Sequence, residues 1–190
     1  MLTWIILIVV AAVAVIAAVI FNKLVRTRQM TNEAWSGIDV QLKRRSDLVP
    51  NLVDTVKGYA AHERNVLDEV TNLRGAARAV PAGDVAARAQ AEGALSLGLG
   101  KLFALAENYP DLKASANFLA LQQQLSSLEN DLQMARRYYN GTVRNLNTLV
   151  QSFPSNIVAH SFGFSERAFF EISDEAERAV PRVSLDPAQS

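Results

Sequence analysis

Residues 2 to 21, LTWIILIVVAAVAVIAAVIF, carry no charged side chain, and Thr3 is the only hydroxyl among them. At about 1.5 Å rise per residue a helix of that length spans roughly 30 Å, the hydrocarbon thickness of a bilayer. Residues 1–22 therefore read as a transmembrane anchor. A cleaved signal peptide fits less well, because it needs a basic leader and a shorter apolar core, and here charged helix-forming sequence follows at once. No Lys or Arg precedes the span, whereas Lys23, Arg26 and Arg28 follow it. Positive charge retained inside then places the N-terminus outside and the C-terminal domain in the cytoplasm.

Beyond the anchor the apolar residues recur in steps of three and four. The first stripe is Trp35, Ile38, Leu42, Val49, Leu52, Val56, Tyr59, Val66, Val70, Leu73, Ala77 and Val80, with Arg45 and Glu63 in the two missing places. This is helical heptad spacing. Pro50 lies inside the run, but the phase survives across it, so the expectation is one kinked helix continuing to the Ala79–Pro81 region rather than a reversal. Val80-Pro-Ala-Gly-Asp84 reads as a turn, with Asp84 capping a helix that runs to about Asn108. Gly93, Gly98 and Gly100 within that helix point to close approach of a neighbour. After a turn at Tyr109-Pro110-Asp111, a stripe from Phe118 through Leu125, Leu132, Tyr139 and Leu146 to Phe153 marks a second long helix ending at Pro154. Ser155 is expected to cap a last helix carrying Ile157, Val158, Phe162, Phe169 and Phe170, with Gly163 as its weak point.

No alternating run of strand length occurs. The fold class is all-α: an N-terminal transmembrane helix, then a long antiparallel up-and-down helical bundle over residues 23–172, then a mostly polar tail over 173–190. Within that tail Val180 to Leu185 is expected to lie extended on a neighbour.

Lys+Arg and Asp+Glu both number 19, which leaves no basic surface for displacing phosphate counterions, so nucleic acid is excluded as a partner. The absence of cysteine removes thiolate chemistry and Cys-based metal sites. His62-Glu63 lacks the second histidine of a zinc-protease helix, since Val66 stands there, and neither histidine has the Glu three residues earlier that a di-iron bundle requires. No cofactor and no metal are expected, and no enzyme activity. An enzyme working through Asp39 and Asp47 is the weakest reading, because nothing positions a nucleophile beside them.

Two polar groups interrupt the stripes. Lys43-Arg44-Arg45 fans three cations around the first helix, with Arg45 turned into the seam. Asp39, Asp47 and Asn51 are nearby acceptors, and an unpaired guanidinium in the seam would lose several kcal/mol of solvation. Glu129, Asn130 and Asp131 on the second long helix are the expected partners across the bundle. With those hydrogen bonds made, Arg45→Met is expected to change stability by only about 1–2 kcal/mol. Arg136-Arg137-Tyr-Tyr139-Asn140 forms the second group. Both read either as networks that fix helix register or as one ligand or partner site between the long helices.

The run NEAWSGIDVQLKRRSDLVPNLVDTVKGYAAHE from Asn32 to Glu63 resembles the signature of the LemA family of bacterial membrane proteins. ENYPDLKASANFLALQQQLSSLEN, RRYYNGTVRNLNTLVQSFPSN and the GF and FFE between Gly163 and Glu171 resemble its later blocks in order. Ser115, Ala116, Gly141 and Leu146 depart from the usual residues. The resemblance implies a single inner-membrane span with a helical bundle and supplies no reaction. It also implies a link to membrane-protein quality control or envelope stress beside a membrane zinc metalloprotease, or membrane scaffolding. The leading expectation is thus a membrane-anchored interaction scaffold, its partner a metalloprotease or a second copy. The alternative is a lipid- or small-anion-sensing module using the polar groups, with Lys43, Arg44, Arg136 and Arg137 as anion contacts.

Overall fold

The computed structural model describes residues 1–81 and 83–171, so the expectations for the tail beyond residue 172, including Val180 to Leu185, lie outside the described residues. The architecture is all-α, with no strand among the described residues. α1 runs without interruption over Leu2–Tyr59, from the apolar segment deep into the bundle. Among the described residues it is the one helix long and apolar enough to cross a membrane, and its most apolar stretch is uncovered by the rest of the described chain. Antiparallel to its distal half runs α2, Arg64–Ala79, followed by α3, Val85–Ala106. A single turn, α4, Pro110–Lys113, leads into α5, Ala116–Gln151, which packs along α1 for most of its length. α6, Ser155–Ser161, closes the bundle at the end where the apolar segment leaves it.

Pro50 sits inside α1 without ending it. Proline has no N–H for the carbonyl four residues back, which leaves Ser46 O without its intrahelical donor. That carbonyl instead accepts from Arg74 Nε of α2 at 2.7 Å. The group freed by the proline thereby becomes a docking point for the next helix.

The continuous helix expected as far as Ala79 is broken at Ala60–Glu63, where the chain reverses. Periodicity could not reveal this. Val56 and Val70 keep their stripe positions on either side of the turn, with Ala60 and Leu67 buried in place of Tyr59 and Val66, so the stripe passes from α1 into α2 with its overall phase kept. Tyr109 marks the corner by donating its hydroxyl to Glu63 at 3.1 Å, and that carboxylate holds the phenol above its ordinary pKa. Asp84 caps α3 as expected, accepting from the Ala87 N–H. Gly98 of α3 has a packing need: a Cβ there would lie 2.7 Å from Leu73 Cδ1 of α2, whereas at Gly100 it would meet open space.

The end of the bundle differs from the expected helix. Ser155 is the first residue of α6 rather than its cap, and Gly163, at φ +70, turns the chain out of helix. Phe164 to Phe170 then runs back non-helically along the bundle.

Three buried clusters stack along α1. The one nearest the apolar segment joins Leu24, Leu146, Val150, Val158, Ala159 and Phe164, with Ala17, Ile20 and Phe21 packed against it. The middle one joins Ala34, Ile38, Leu42, Val85, Ala89, Leu132, Tyr139, Val143 and Phe170. The distal one is the largest and holds Val49, Leu52, Val56, Leu95, Leu102 and Phe118 among others. Trp35 is only half-buried, and Ala34 takes the seam position expected for it.

Candidate functional site

Between the middle and distal clusters the seam position of α1 is Arg45, 2% exposed. Its guanidinium faces two other helices. Nη2 donates to Glu92 Oε2 of α3 at 2.5 Å and to the Glu92 carbonyl at 3.2 Å. Nη1 donates to Ser96 Oγ at 2.8 Å and to Glu129 Oε2 of α5 at 3.2 Å. The second oxygen of Glu92, itself 1% exposed, accepts from Arg88 Nε at 3.0 Å, and Arg88 in turn approaches Asp39 of α1 at 3.8 Å. Charges of alternating sign therefore cross the bundle from Asp39 through Arg88, Glu92 and Arg45 to Glu129. Taking such groups out of water is offset only when donors and acceptors match closely, and the forked geometry of arginine suits that role.

Glu129 was one of the three expected partners, while Asn130 is exposed and the ion pairs of Arg45 are with Glu92 and Glu129 rather than Asp131. Glu92 went unforeseen although its signal was present. Val85, Ala89, Glu92, Leu95, Leu99 and Leu102 are the buried stripe of α3, and a carboxylate in that stripe complements a cation in the α1 stripe. A groove of about 390 Å³ between α3 and α5 opens onto this layer, lined by Arg45, Ser96, Leu99, Phe103, Leu125 and Glu129 among others.

The second polar group is used differently. Asn140 and Asn147, seven residues apart, share a face of α5. Asn140 Oδ1 accepts from the Phe170 N–H at 2.9 Å and its Nδ2 donates to the Phe170 carbonyl at 3.2 Å. Asn147 pairs in the same two-point manner with the backbone of Arg167, at 2.9 and 3.0 Å. Tyr139 adds a bond from its hydroxyl to the Ala168 carbonyl at 3.0 Å. The segment Phe164 to Phe170 is thus strapped to α5 through its main chain and anchored by aromatic rings at both ends. Phe170 is fully buried and meets Trp35 edge-to-face at 5.6 Å, and Trp35 meets Tyr139 at 5.4 Å. Phe164 meets Phe21 at 5.8 Å and lies under the Arg28 guanidinium at 4.7 Å. Burial raises the Tyr139 phenol above its ordinary pKa, with the Arg167 charge pulling partly the other way.

The expected polar residues accordingly do not converge on one site. Arg45 belongs to the charge layer, Tyr139 and Asn140 to the strap. Lys43, Arg44, Asp47, Asn51 and Arg137 are exposed, and Arg136 is half-buried. Arg44 and Asp47 line a shallow surface groove with Gln41, Gln124 and Asp131 between α1 and α5. Asp39 and Asp47 stand eight residues apart on one helix, about 12 Å at helical rise, too far to share a substrate atom. Among the described residues no group of three His, Asp or Glu side chains is placed to hold a metal ion.

The model of the LemA family matches residues 34–185. The chain belongs to the LemA family. It is 26% identical over 168 residues to the protein LemA of Metamycoplasma hominis, covering 88% of this chain and 74% of that one. It is 23% identical over 189 residues to the magnetosome protein MamQ 2 of Paramagnetospirillum magneticum, covering 86% and 70%. To the magnetosome protein MamQ of Magnetospirillum gryphiswaldense it is 21% identical over 174 residues, covering 79% and 64%. The LemA match takes in the whole charge layer and the strap, while the apolar segment and Lys23, Arg26 and Arg28 precede it.

Proposed function

We propose that this LemA-family chain is a membrane-anchored, non-enzymatic scaffold whose helical domain presents its long faces to a protein partner. The observation that carries this reading is α1, one 58-residue helix that is apolar at one end and contributes to all three core clusters at the other. Such a helix fixes the domain to its anchor without a linker. The polar side chains that chemistry would need are spent on structure: the buried carboxylate of Glu92 pairs with two arginines and the buried phenol holds a strap. Relatives named for a magnetosome, a structure rather than a reaction, support the same reading. Lys23, Arg26 and Arg28 at the exit of the span support a cytoplasmic domain on the bacterial inner membrane. Self-association and docking to a membrane metalloprotease in protein quality control or envelope stress are the two partnerships this architecture suits.

The test is in-cell photo-crosslinking from Val40 of α1 and Met134 of α5, both exposed apolar positions. A discrete adduct, either a second copy or one protease, is expected from at least one of them. A smear of unrelated membrane proteins from both would refute the scaffold reading.

A further inference from the structure

We propose that α6, with Phe153 before it and Phe162 after it, is a second membrane-contacting element, seated in the interfacial layer of the same bilayer that α1 crosses. Ala17, Ile20 and Phe21 belong to the uncharged run, and all three pack against the cluster that contains Val158 and Ala159 of α6 and Phe164 beyond it. With residues 2 to 21 filling the hydrocarbon, Ala17 lies roughly 6 Å inside its boundary at helical rise. Side chains in contact with these residues share that depth. Phe162 makes the placement explicit, its ring 4.8 Å from that of Phe21.

These elements also leave apolar side chains uncovered. Phe153 is 80% exposed, Phe162 61% and Ile157 59%, at one end of a bundle where Leu24, Leu146, Val150, Val158 and Phe164 are buried and Ile20, Phe21 and Leu149 partly so. α5 runs antiparallel to α1 with Leu146 in the cluster of Leu24, so its last turn descends toward the span and delivers Phe153 beyond Val150. Water would meet these three side chains at a level where the packing of α1 places lipid. Exposed apolar side chains on a short element whose exposed polar residues are His160 and Ser161 suit the headgroup and acyl boundary, where apolar faces bury and polar groups stay wet. Lys23, Arg26 and Arg28, on the turns of α1 just beyond Phe21, add cations immediately outside that boundary, favourable at an anionic surface.

The proposal rests on α1 being a span, and the experiment separates the two. The chain has no cysteine, so single spin labels can be introduced without background. Labels at Val10→Cys in the span, Phe153→Cys and Ile157→Cys at the foot and Leu97→Cys on α3 are placed in the full chain. The chain is reconstituted in phosphatidylcholine–phosphatidylglycerol liposomes, and collision with oxygen, which partitions into lipid, is compared with collision with a water-soluble nickel chelate. Oxygen should dominate several-fold at 10, 153 and 157, and the chelate at 97. Dominance of the chelate at 153 and 157, with oxygen still dominant at 10, overturns the foot alone. Exclusion of both reagents from 153 and 157 would mean a protein neighbour and also overturns it. Dominance of the chelate at 10 removes the span and the foot together. A label-free second measurement is amide exchange across 155–162 in the same liposomes. Phe153→Glu with Ile157→Glu should accelerate it while exchange in α2 and α3 stays unchanged, and an unaltered rate at 155–162 counts against the proposal.

Discussion

Removing the guanidinium of Arg45 would strand Glu92 and Glu129, the first almost wholly buried. Truncating one partner of a buried pair is far more damaging than replacing the pair, so Arg45→Met should destabilise the detergent-solubilised chain by about 3–5 kcal/mol, toward the lower figure because Glu92 keeps Arg88. That exceeds the 1–2 kcal/mol expected from sequence, where no buried carboxylate on α3 was in view. Adding Glu92→Leu to Arg45→Met should recover part of the loss in chemical denaturation, and strict additivity of the two losses would show that the pair is not coupled. Arg45 was legible because a cation stood in an apolar stripe. Glu92 was equally well spaced but sat in a helix of alanine, glycine and leucine, whose small residues blur the stripe. Tyr139 yields a pH dependence. Its folded pKa is raised above the ordinary 10.0, so the folded chain holds this proton more tightly, and the resulting stability is complete below pH 10 and lost as pH climbs through the raised value. Tyr139→Phe should flatten that alkaline loss and lower stability at neutral pH by about 1 kcal/mol for the bond to Ala168. Identical alkaline melting curves for the two proteins would contradict this.

At the scale of elements, the contact between Pro50 and Arg74 makes a closed thermodynamic cycle. Arg74→Ala leaves the Ser46 carbonyl unpaired in the packed seam, which should cost about 1–3 kcal/mol. In a Pro50→Ala background the new N–H can serve that carbonyl, so the same Arg74→Ala should cost measurably less. Equal penalties in the two backgrounds would mean that Arg74 contributes through its stem rather than its hydrogen bond. The elements show where sequence reasoning reaches its limit. Long stripes, the Asp84 cap and the turns near Pro81 and Pro110 were readable because each rests on local chemistry. The reversal at Ala60–Glu63 was not, since a turn commensurate with the heptad leaves the stripe in phase. The strap was missed for another reason: Phe169 and Phe170 satisfy helical spacing, and only Asn140 and Asn147, spaced to meet Phe170 and Arg167 three residues apart on an extended backbone, dictate otherwise.

For the molecule as a whole, the anchor and the domain are not separable parts. The cluster nearest the membrane takes Ala17, Ile20 and Phe21 from the apolar segment. A chain beginning at Lys23 should therefore fold over its distal and middle clusters but hold α6 and the strap loosely. Hydrogen exchange in detergent should rise across 155–164 and stay slow at Leu52, Leu95 and Leu102, and uniform protection in both chains would show that the segment contributes nothing to the bundle. Because α1 has no break between Phe21 and Tyr59, those 38 steps form a rod of about 57 Å. Single spans commonly lean by about 20°, which at the far end of such a rod amounts to roughly 20 Å of sideways travel. A change in bilayer thickness too small to unfold anything would then be magnified into a change in where the distal tip can reach, and the domain would report the mechanical state of its membrane by position alone.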